Sequence, residues 1–125
     1  GVDTFDCVIP TREARHARIY TDSGALDVRK TKYADSIEPL LASRSTVGQL
    51  HKLFRARDQK AGLSAEAQRA KAGRLATLHN VRWFNLLLER IRAALASDSY
   101  EELKRRALTR TPNGHRQLRR LARLS

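Results

Sequence analysis

Residues 1–15 read Gly-Val-Asp-Thr-Phe-Asp-Cys-Val-Ile-Pro-Thr-Arg-Glu-Ala-Arg. Within them, Phe5 to Ile9 are dense in β-forming side chains and predict a short buried strand. Pro10 is expected to end this strand, because proline lacks the N–H group that a central ladder requires. The basic residues that follow would then lie in a loop at the end of the strand, where functional side chains are common.

Two segments further along, residues 18–21 and 25–30, alternate in polarity on either side of Asp22-Ser23-Gly24. Gly24 tolerates the positive φ that a tight connection between antiparallel strands needs. This pattern predicts a β-hairpin.

Most of the remaining chain has helical spacing. The clearest periodicity runs from residue 75 to residue 96, with His79-Asn80 as a candidate break and fresh helix start. Ser64 is a candidate N-cap for the Ala-rich segment before it. A helix over residues 47–57 has its apolar side chains on one face, and either Ser45 or Thr46 can cap it.

The C-terminal quarter carries its own helix signals. Ser99 and Glu102 have the spacing of a capping box, which predicts a helix to about Leu108. A turn is expected over residues 111–114 and a short amphipathic helix over residues 116–124. The whole pattern predicts an α+β chain that is mainly helical, with one strand, one hairpin and three to five helices.

Charge points to a polyanionic partner. The net charge is +12, and residues 65–125 hold 14 bases against 5 acids. Between residues 104 and 123 there are eight bases and no acid, which favours a phosphate-binding tail over residues 104–125; a solvated basic helix end is the alternative. The tail residues that we expect to bind RNA are Lys104, Arg105, Arg106, Arg116, Arg119, Arg120 and Arg123.

The number of cysteines and the length of the apolar runs indicate the cellular compartment. The single cysteine, Cys7, excludes an internal disulfide and suits a reducing environment, cytoplasmic or mitochondrial. The longest apolar run, residues 86–88, is far shorter than the roughly 20 residues of a membrane span, so a soluble intracellular protein is expected. We also expect Cys7 to be buried beside the predicted strand.

The segment 1–15 closely resembles a motif of the tRNA-guanine transglycosylases, also called queuine tRNA-ribosyltransferases: Gly-Val-Asp-x-Phe-Asp-Cys-Val-x-Pro-Thr-Arg-x-x-Arg. A looser resemblance continues through Lys32-Tyr33-Ala34-Asp35, Leu50-His51-Lys52-Leu53-Phe54 and Leu78-His79-Asn80, and it covers residues 1–103. It implies that the chain is the C-terminal segment of a (β/α)8 barrel, with the predicted strand as the last barrel strand.

The resemblance also implies roles for individual residues. Asp6 matches the family's nucleophile, which attacks the anomeric carbon of a guanosine in tRNA and releases guanine before a 7-deazaguanine enters. A structural carboxylate is the alternative for Asp6. Arg12 and Arg15 match arginines that grip the anticodon loop, where planar guanidinium groups suit phosphates and unstacked bases.

The family's zinc site is expected to be lost here. The family has Cys-x-Cys-x-x-Cys after the position of Pro39-Leu40, and a His ligand much later in the chain. Residues 41–48 contain no cysteine, so His79 is the only remaining ligand position, and one imidazole cannot hold a structural zinc. We therefore expect no metal or other cofactor, with His79 as an interior or capping residue.

These features predict an RNA-binding segment that is not catalytic alone, because the family's base-recognition groups lie upstream of this stretch. Two alternatives stay open. One is an inactive relic within a ribonucleoprotein such as a mitochondrial ribosome. The other is a subunit of a split transglycosylase, in which a partner chain supplies the other barrel strands. A nonspecific basic adaptor is disfavoured by the particular motif.

Overall fold

The computed structural model describes residues 4, 6–60 and 62–109. Its α-helices are α1 (Ile9–Arg15), α2 (Val47–Phe54), α3 (Ala65–Ala96) and α4 (Tyr100–Thr109), and its strands are β1 (Arg18–Thr21) and β2 (Gly24–Asp27). A 3-10 turn spans Thr31–Tyr33. The predicted α+β, mainly helical class is thus confirmed.

The predicted strand before Pro10 is wrong. Residues 6–8 have no regular structure and are exposed, and Ile9 and Pro10 form the first turn of α1. Proline fits there because the first backbone N–H groups of a helix have no intrahelical partner. A central strand needs neighbours on both sides, and the described residues provide no strand beyond the hairpin to pair with it.

The hairpin is confirmed. Thr21 pairs with Gly24 across the two-residue turn, and the φ of Gly24 is 115°. The Thr21 hydroxyl donates to the Gly24 carbonyl at 2.9 Å. Strand β2 ends at Asp27, before the predicted end at Lys30, because the N–H of Val28 donates to the Ala17 carbonyl and the Val28 side chain enters the core.

Helix α2 begins with the predicted cap, and the structure selects Thr46 of the two candidates. The Thr46 hydroxyl accepts from the N–H of Gln49 at 3.2 Å, and the Gln49 side chain accepts from the N–H of Thr46 at 3.0 Å. This reciprocal pair is a complete capping box. The helix ends at Phe54, one turn before the predicted residue 57.

Helix α3 runs unbroken for 32 residues from its predicted cap, where the Ser64 hydroxyl accepts from the N–H of Ala67 at 3.1 Å. The predicted break at His79-Asn80 is wrong. Both side chains are buried and bonded to distant backbone, so they leave the helix's own ladder intact.

The core lies where the hairpin and α2 pack against α3. Its largest fully buried apolar side chains are Ile19, Leu50, Val28 and Val47. Helix α3 faces them with Ala72 and Ala76, both 0% exposed and one turn apart. These small side chains let the other elements approach the helix closely.

Helix α4 follows α3 after a short turn and is described as far as Thr109, so it includes the predicted helix up to Leu108. The Glu102 carboxylate bonds the Arg106 side chain at 2.7 Å, so its partner differs from that of the predicted capping box. The predicted turn over residues 111–114 and helix over residues 116–124 lie outside the described residues. Within the described part of the chain, no helix is long and apolar enough to cross a membrane.

Candidate nucleic-acid interface

Asp6 lies in the exposed, irregular segment that precedes α1, and Cys7 beside it is exposed. The expectation of a buried Cys7 is therefore wrong. Val8 is 57% exposed and Ile9 is 37% exposed, so two apolar side chains next to Asp6 face solvent. The cause is the same as for the missing strand, since no strand among the described residues lies beside this segment to cover it.

Arg12 and Arg15 both lie on α1 but have different surroundings. The Arg12 Nε atom is 3.6 Å from the Oε1 atom of Glu13, and the Oε2 atom of the same carboxylate accepts from Arg18 at 3.2 Å. Arg15, in the last turn, forms no ion pair within the described residues and lines a cleft. The structure thus directs one of the two predicted arginines toward a candidate binding surface.

That cleft has a volume of about 790 Å³ and lies between α1, the end of the hairpin, α2 and the first half of α3. We call it the arginine cleft, after the four arginines that line it: Arg15, Arg29, Arg69 and Arg74. His16, Thr77 and apolar residues, including Phe54 and Leu78, complete the lining, and none of the described residues that line it is acidic. Cations from three separate elements therefore meet at one concave surface.

The arginines differ in how much of their donor capacity is free. Arg74, like Arg15, forms no ion pair within the described chain. Arg69 donates from one nitrogen to the Ala56 carbonyl at 2.7 Å. Arg29 forms two bonds of 3.0 Å with the Asp27 carboxylate, which lower the pKa of Asp27 and raise the pKa of Arg29. Three of the four guanidinium groups therefore keep most of their charge available to a ligand.

Sequence analysis missed Arg29, Arg69 and Arg74. The helical lining positions 70, 73, 74, 77 and 78 recur every three or four residues, so helical periodicity alone marks this face of α3. Arg29 carried no such signal, because its place in the cleft depends on how the hairpin packs against the helix.

The basic tail residues that the structure describes are less available to bind a ligand, because they form ion pairs with acidic side chains. On α4, Lys104 pairs with Glu101 at 3.3 Å, and Arg105 and Arg106 both pair with Glu102. These pairs between adjacent turns offset the charge of the helix. Arg116, Arg119, Arg120 and Arg123 lie outside the described residues.

His79 is 4% exposed, and both of its ring nitrogens are engaged. Nδ1 accepts from the N–H of Leu41 at 3.0 Å, so this nitrogen carries no proton. The proton of the neutral ring is then on Nε2, which donates to the Tyr20 carbonyl at 2.7 Å. With neither nitrogen free and a single cysteine in the chain, these residues do not fit the family's four-ligand zinc site.

Asn80, beside it, fixes α1 and the hairpin to α3. Its side-chain oxygen accepts from the N–H of Tyr20 at 3.0 Å. Its amide group donates to the Pro10 carbonyl at 3.0 Å and the Arg18 carbonyl at 2.9 Å. Because Pro10 lies in the first turn of α1, Asn80 helps to position the helix that carries Arg15.

The chain is also similar in sequence to known proteins. A family model described as "Queuine tRNA-ribosyltransferase" matches residues 1–113. Proteins with that name from Aquifex aeolicus (strain VF5) and Symbiobacterium thermophilum are 32% and 35% identical to the chain over alignments of 120 and 133 positions, gaps included. These matches cover 90% and 98% of this chain, and 29% and 30% of the two relatives.

A protein of the same name from Thermoanaerobacter sp. (strain X514) is 36% identical over 112 residues, covering 84% of this chain and 27% of the relative. The chain thus spans less than a third of the length of these relatives. The family model covers most of the chain, and the recurrence of one family name among the relatives agrees with it. The chain belongs to the queuine tRNA-ribosyltransferase family.

Proposed function

We propose that this chain is an RNA-binding C-terminal segment of a tRNA-guanine transglycosylase, and that the arginine cleft binds phosphates of its RNA. The observation that carries the proposal is the convergence of four arginines on one cleft, where the residues that the structure describes in the lining include no acidic one. Guanidinium groups bind phosphate oxygens through paired hydrogen bonds, and their planes also stack on exposed bases. The name shared by the relatives makes tRNA the first RNA to test.

The proposal is tested by the salt dependence of binding to a fluorescently labelled tRNA anticodon stem-loop. Each phosphate contact adds about 0.7 to 0.9 to the slope of log affinity against log salt concentration. We expect R15Q and R74Q each to weaken binding and to reduce this slope by about one contact. Fluorescence anisotropy over a salt series measures both quantities.

The matched control is R92Q, which removes an exposed arginine from α3 beyond the cleft. All three variants lower the net charge equally, so a purely global field would affect them equally. If R92Q weakens binding as much as R15Q and R74Q, the arginine cleft is not the binding surface.

The basic tail is proposed as a second RNA contact. The bases on α4 are paired with Glu101 and Glu102, so the test uses the four arginines that follow the helix in sequence. The variant changes all four of them to Ala: Arg116, Arg119, Arg120 and Arg123. A weaker, less salt-dependent interaction supports a tail contact. In the ribonucleoprotein alternative, the same variant dissociates from a large RNA particle, whereas Asp6→Asn does not.

A catalytic role for Asp6 is a further proposal, and it requires the rest of a barrel. Val8 and Ile9 beside Asp6 are exposed apolar side chains that additional strands would cover. We expect the chain to support exchange of labelled guanine into tRNA when it is combined with the upstream barrel portion of a relative. Asp6→Asn should abolish this exchange, whereas Asp35→Asn, at an exposed site, should not. Exchange that survives Asp6→Asn would exclude Asp6 as the nucleophile.

A further inference from the structure

A second cleft, of about 750 Å³, lies between α2, the connection after it and the first turns of α3. We call it the His51 cleft. Its cationic lining residues are Lys52, Arg55, Arg57, Lys60 and Lys71, and Asp58 is the acidic one. Within the described chain only Lys52 has an ion pair, a 3.8 Å contact to Asp35, whose side chain is 96% exposed. The cleft therefore has an excess of available positive charge.

His51 differs from the other lining residues because it is buried, with 8% exposure. Its Nδ1 atom is 2.7 Å from the Val28 carbonyl oxygen. A carbonyl oxygen only accepts, so Nδ1 must carry the proton and donate it. In the neutral ring, Nε2 is then left with a lone pair and no proton.

This Nε2 atom has no hydrogen-bond partner in the described part of the chain. No buried side-chain nitrogen or oxygen there lacks a partner, so Nε2 must reach solvent, and His51 lines the cleft. An acceptor that reaches solvent from a nearly buried ring lining a cleft is satisfied by a hydrogen-bond donor from a ligand or from water.

We propose that the His51 cleft binds a ribonucleotide unit of RNA, with Nε2 accepting a hydrogen bond from the ribose 2′-hydroxyl while the surrounding cations bind the adjacent phosphates. A ribonucleotide offers a neutral hydroxyl donor beside an anion, which matches a neutral acceptor beside cations. DNA offers the phosphate without that donor, and the 2′-hydroxyl is what distinguishes the two at a given site. The inference rests on the proposed RNA-binding function. It adds that this cleft makes the chain bind RNA more tightly than DNA.

The two clefts adjoin, which supports one strand contacting both. Arg69 of the arginine cleft donates to the carbonyl of Ala56, and Ala56 lines the His51 cleft. Phe54 lines the first cleft, and its neighbours Leu53 and Arg55 line the second. Successive nucleotides of one RNA strand would thus place phosphates at both groups of cations.

The test compares the affinity of the full chain for a single-stranded RNA and for DNA of the same sequence, both measured in the same buffer. The variant is H51N, because the Asn amide nitrogen takes the place of Nδ1 and still donates to the Val28 carbonyl, whereas the acceptor at Nε2 is lost. We expect H51N to weaken RNA binding about three- to tenfold and DNA binding hardly at all. The matched variant K71Q should weaken both nucleic acids alike, because it removes only charge.

A second measurement does not depend on the folding of a variant. With the wild-type chain, 2′-O-methyl groups placed one position at a time remove the hydroxyl donor, and one position should lose the same three- to tenfold. If no position loses affinity, or if H51N keeps the wild-type ratio of RNA to DNA affinity, this inference is overturned and the proposed function stands. If the wild-type chain shows no salt-dependent RNA binding at all, both are overturned.

Discussion

The Nδ1 atom of His79 accepts a hydrogen bond from the backbone N–H of Leu41 at 3.0 Å, across 38 residues of chain. Through its other nitrogen the same ring donates to the Tyr20 carbonyl. One imidazole thereby joins α3 to the loop before α2 and to the hairpin. His79 is at the position that resembles a zinc ligand of the family. Here the two hydrogen bonds of its imidazole join the three segments.

Replacing His79 by Ala should destabilise the fold by about 2 to 4 kcal/mol, because one backbone N–H and one backbone carbonyl lose their partners in a buried site. Urea unfolding followed by circular dichroism measures the change. His16→Ala, at an exposed histidine, is the matched control and should leave stability nearly unchanged. A chelator should not shift the unfolding midpoint of the wild-type chain. A large shift on chelation would contradict the hydrogen-bonded arrangement.

Replacing Asn80 by Ala should also be costly, at about 2 to 4 kcal/mol, because three backbone groups from α1 and β1 depend on its side chain. Asn80→Asp should not restore stability, since a carboxylate accepts from Tyr20 but cannot donate to the two carbonyls. Amide hydrogen exchange at Tyr20 reports the loss directly. Asn85→Ala, at an exposed site on the same helix, should leave that exchange rate unchanged.

Two glycines should respond to alanine in opposite directions. A Cβ on Gly48 would lie 2.7 Å from the Ser36 carbonyl oxygen, and backbone there cannot move cheaply, so Gly48→Ala should destabilise by about 1 to 3 kcal/mol. A Cβ on Gly73, inside α3, meets nothing within 4 Å, and Gly73→Ala should stabilise by up to about 1 kcal/mol. Thermal unfolding of the pair checks this, and an equal response at both positions would contradict the packing at Gly48.

The Asp27–Arg29 pair should contribute a small pH-dependent stability. Hydrogen bonding to Arg29 lowers the pKa of Asp27 from its ordinary value of 3.8, so the folded state favours the charged carboxylate. The contribution is complete above the ordinary pKa and is lost as pH falls through the lowered folded pKa. The Arg29 side chain is 53% exposed, so we expect less than about 1 kcal/mol. Unfolding at a series of acidic pH values should be less pH-dependent in D27N than in D35N.

The D27N substitution should also affect RNA binding. D27N frees the Arg29 guanidinium from its carboxylate partner and increases the positive charge near the arginine cleft. We therefore expect tighter and more salt-dependent binding of the anticodon stem-loop. D98N raises the net charge equally at an exposed site that lines neither cleft, so a similar gain in both variants would argue against a contribution from Arg29.

Sequence reasoning succeeded where the determinants of structure are local. The hairpin follows from the turn at Gly24, and the starts of α2 and α3 follow from hydroxyl caps at Thr46 and Ser64. These features depend on residues a few positions apart, so pattern and spacing are sufficient.

Prediction from sequence failed where the structure depends on residues that are far apart in the chain. The apolar run before Pro10 is a strand only if other strands pair with it, and the described chain has none for it. The polar pair His79-Asn80 indicated a break because its partners, Leu41 and Tyr20, are far away in sequence. The arginine cleft was also missed, since it combines side chains from α1, α3 and the end of the hairpin. The roles of Asp6, Arg12 and Arg15 and of the basic tail residues stay predictions.

The unbroken length of α3 limits which molecules can contact both the arginine cleft and the C-terminal end of the helix. Leu78 lies at the edge of the arginine cleft, and Ala96 ends the helix just before α4. Because an α-helix rises by about 1.5 Å per residue, these two positions are roughly 27 Å apart along the axis. A mononucleotide or a free base is too small to bridge that interval. Simultaneous contact with the cleft and with the C-terminal end of α3 therefore selects for a polymer several nucleotides long.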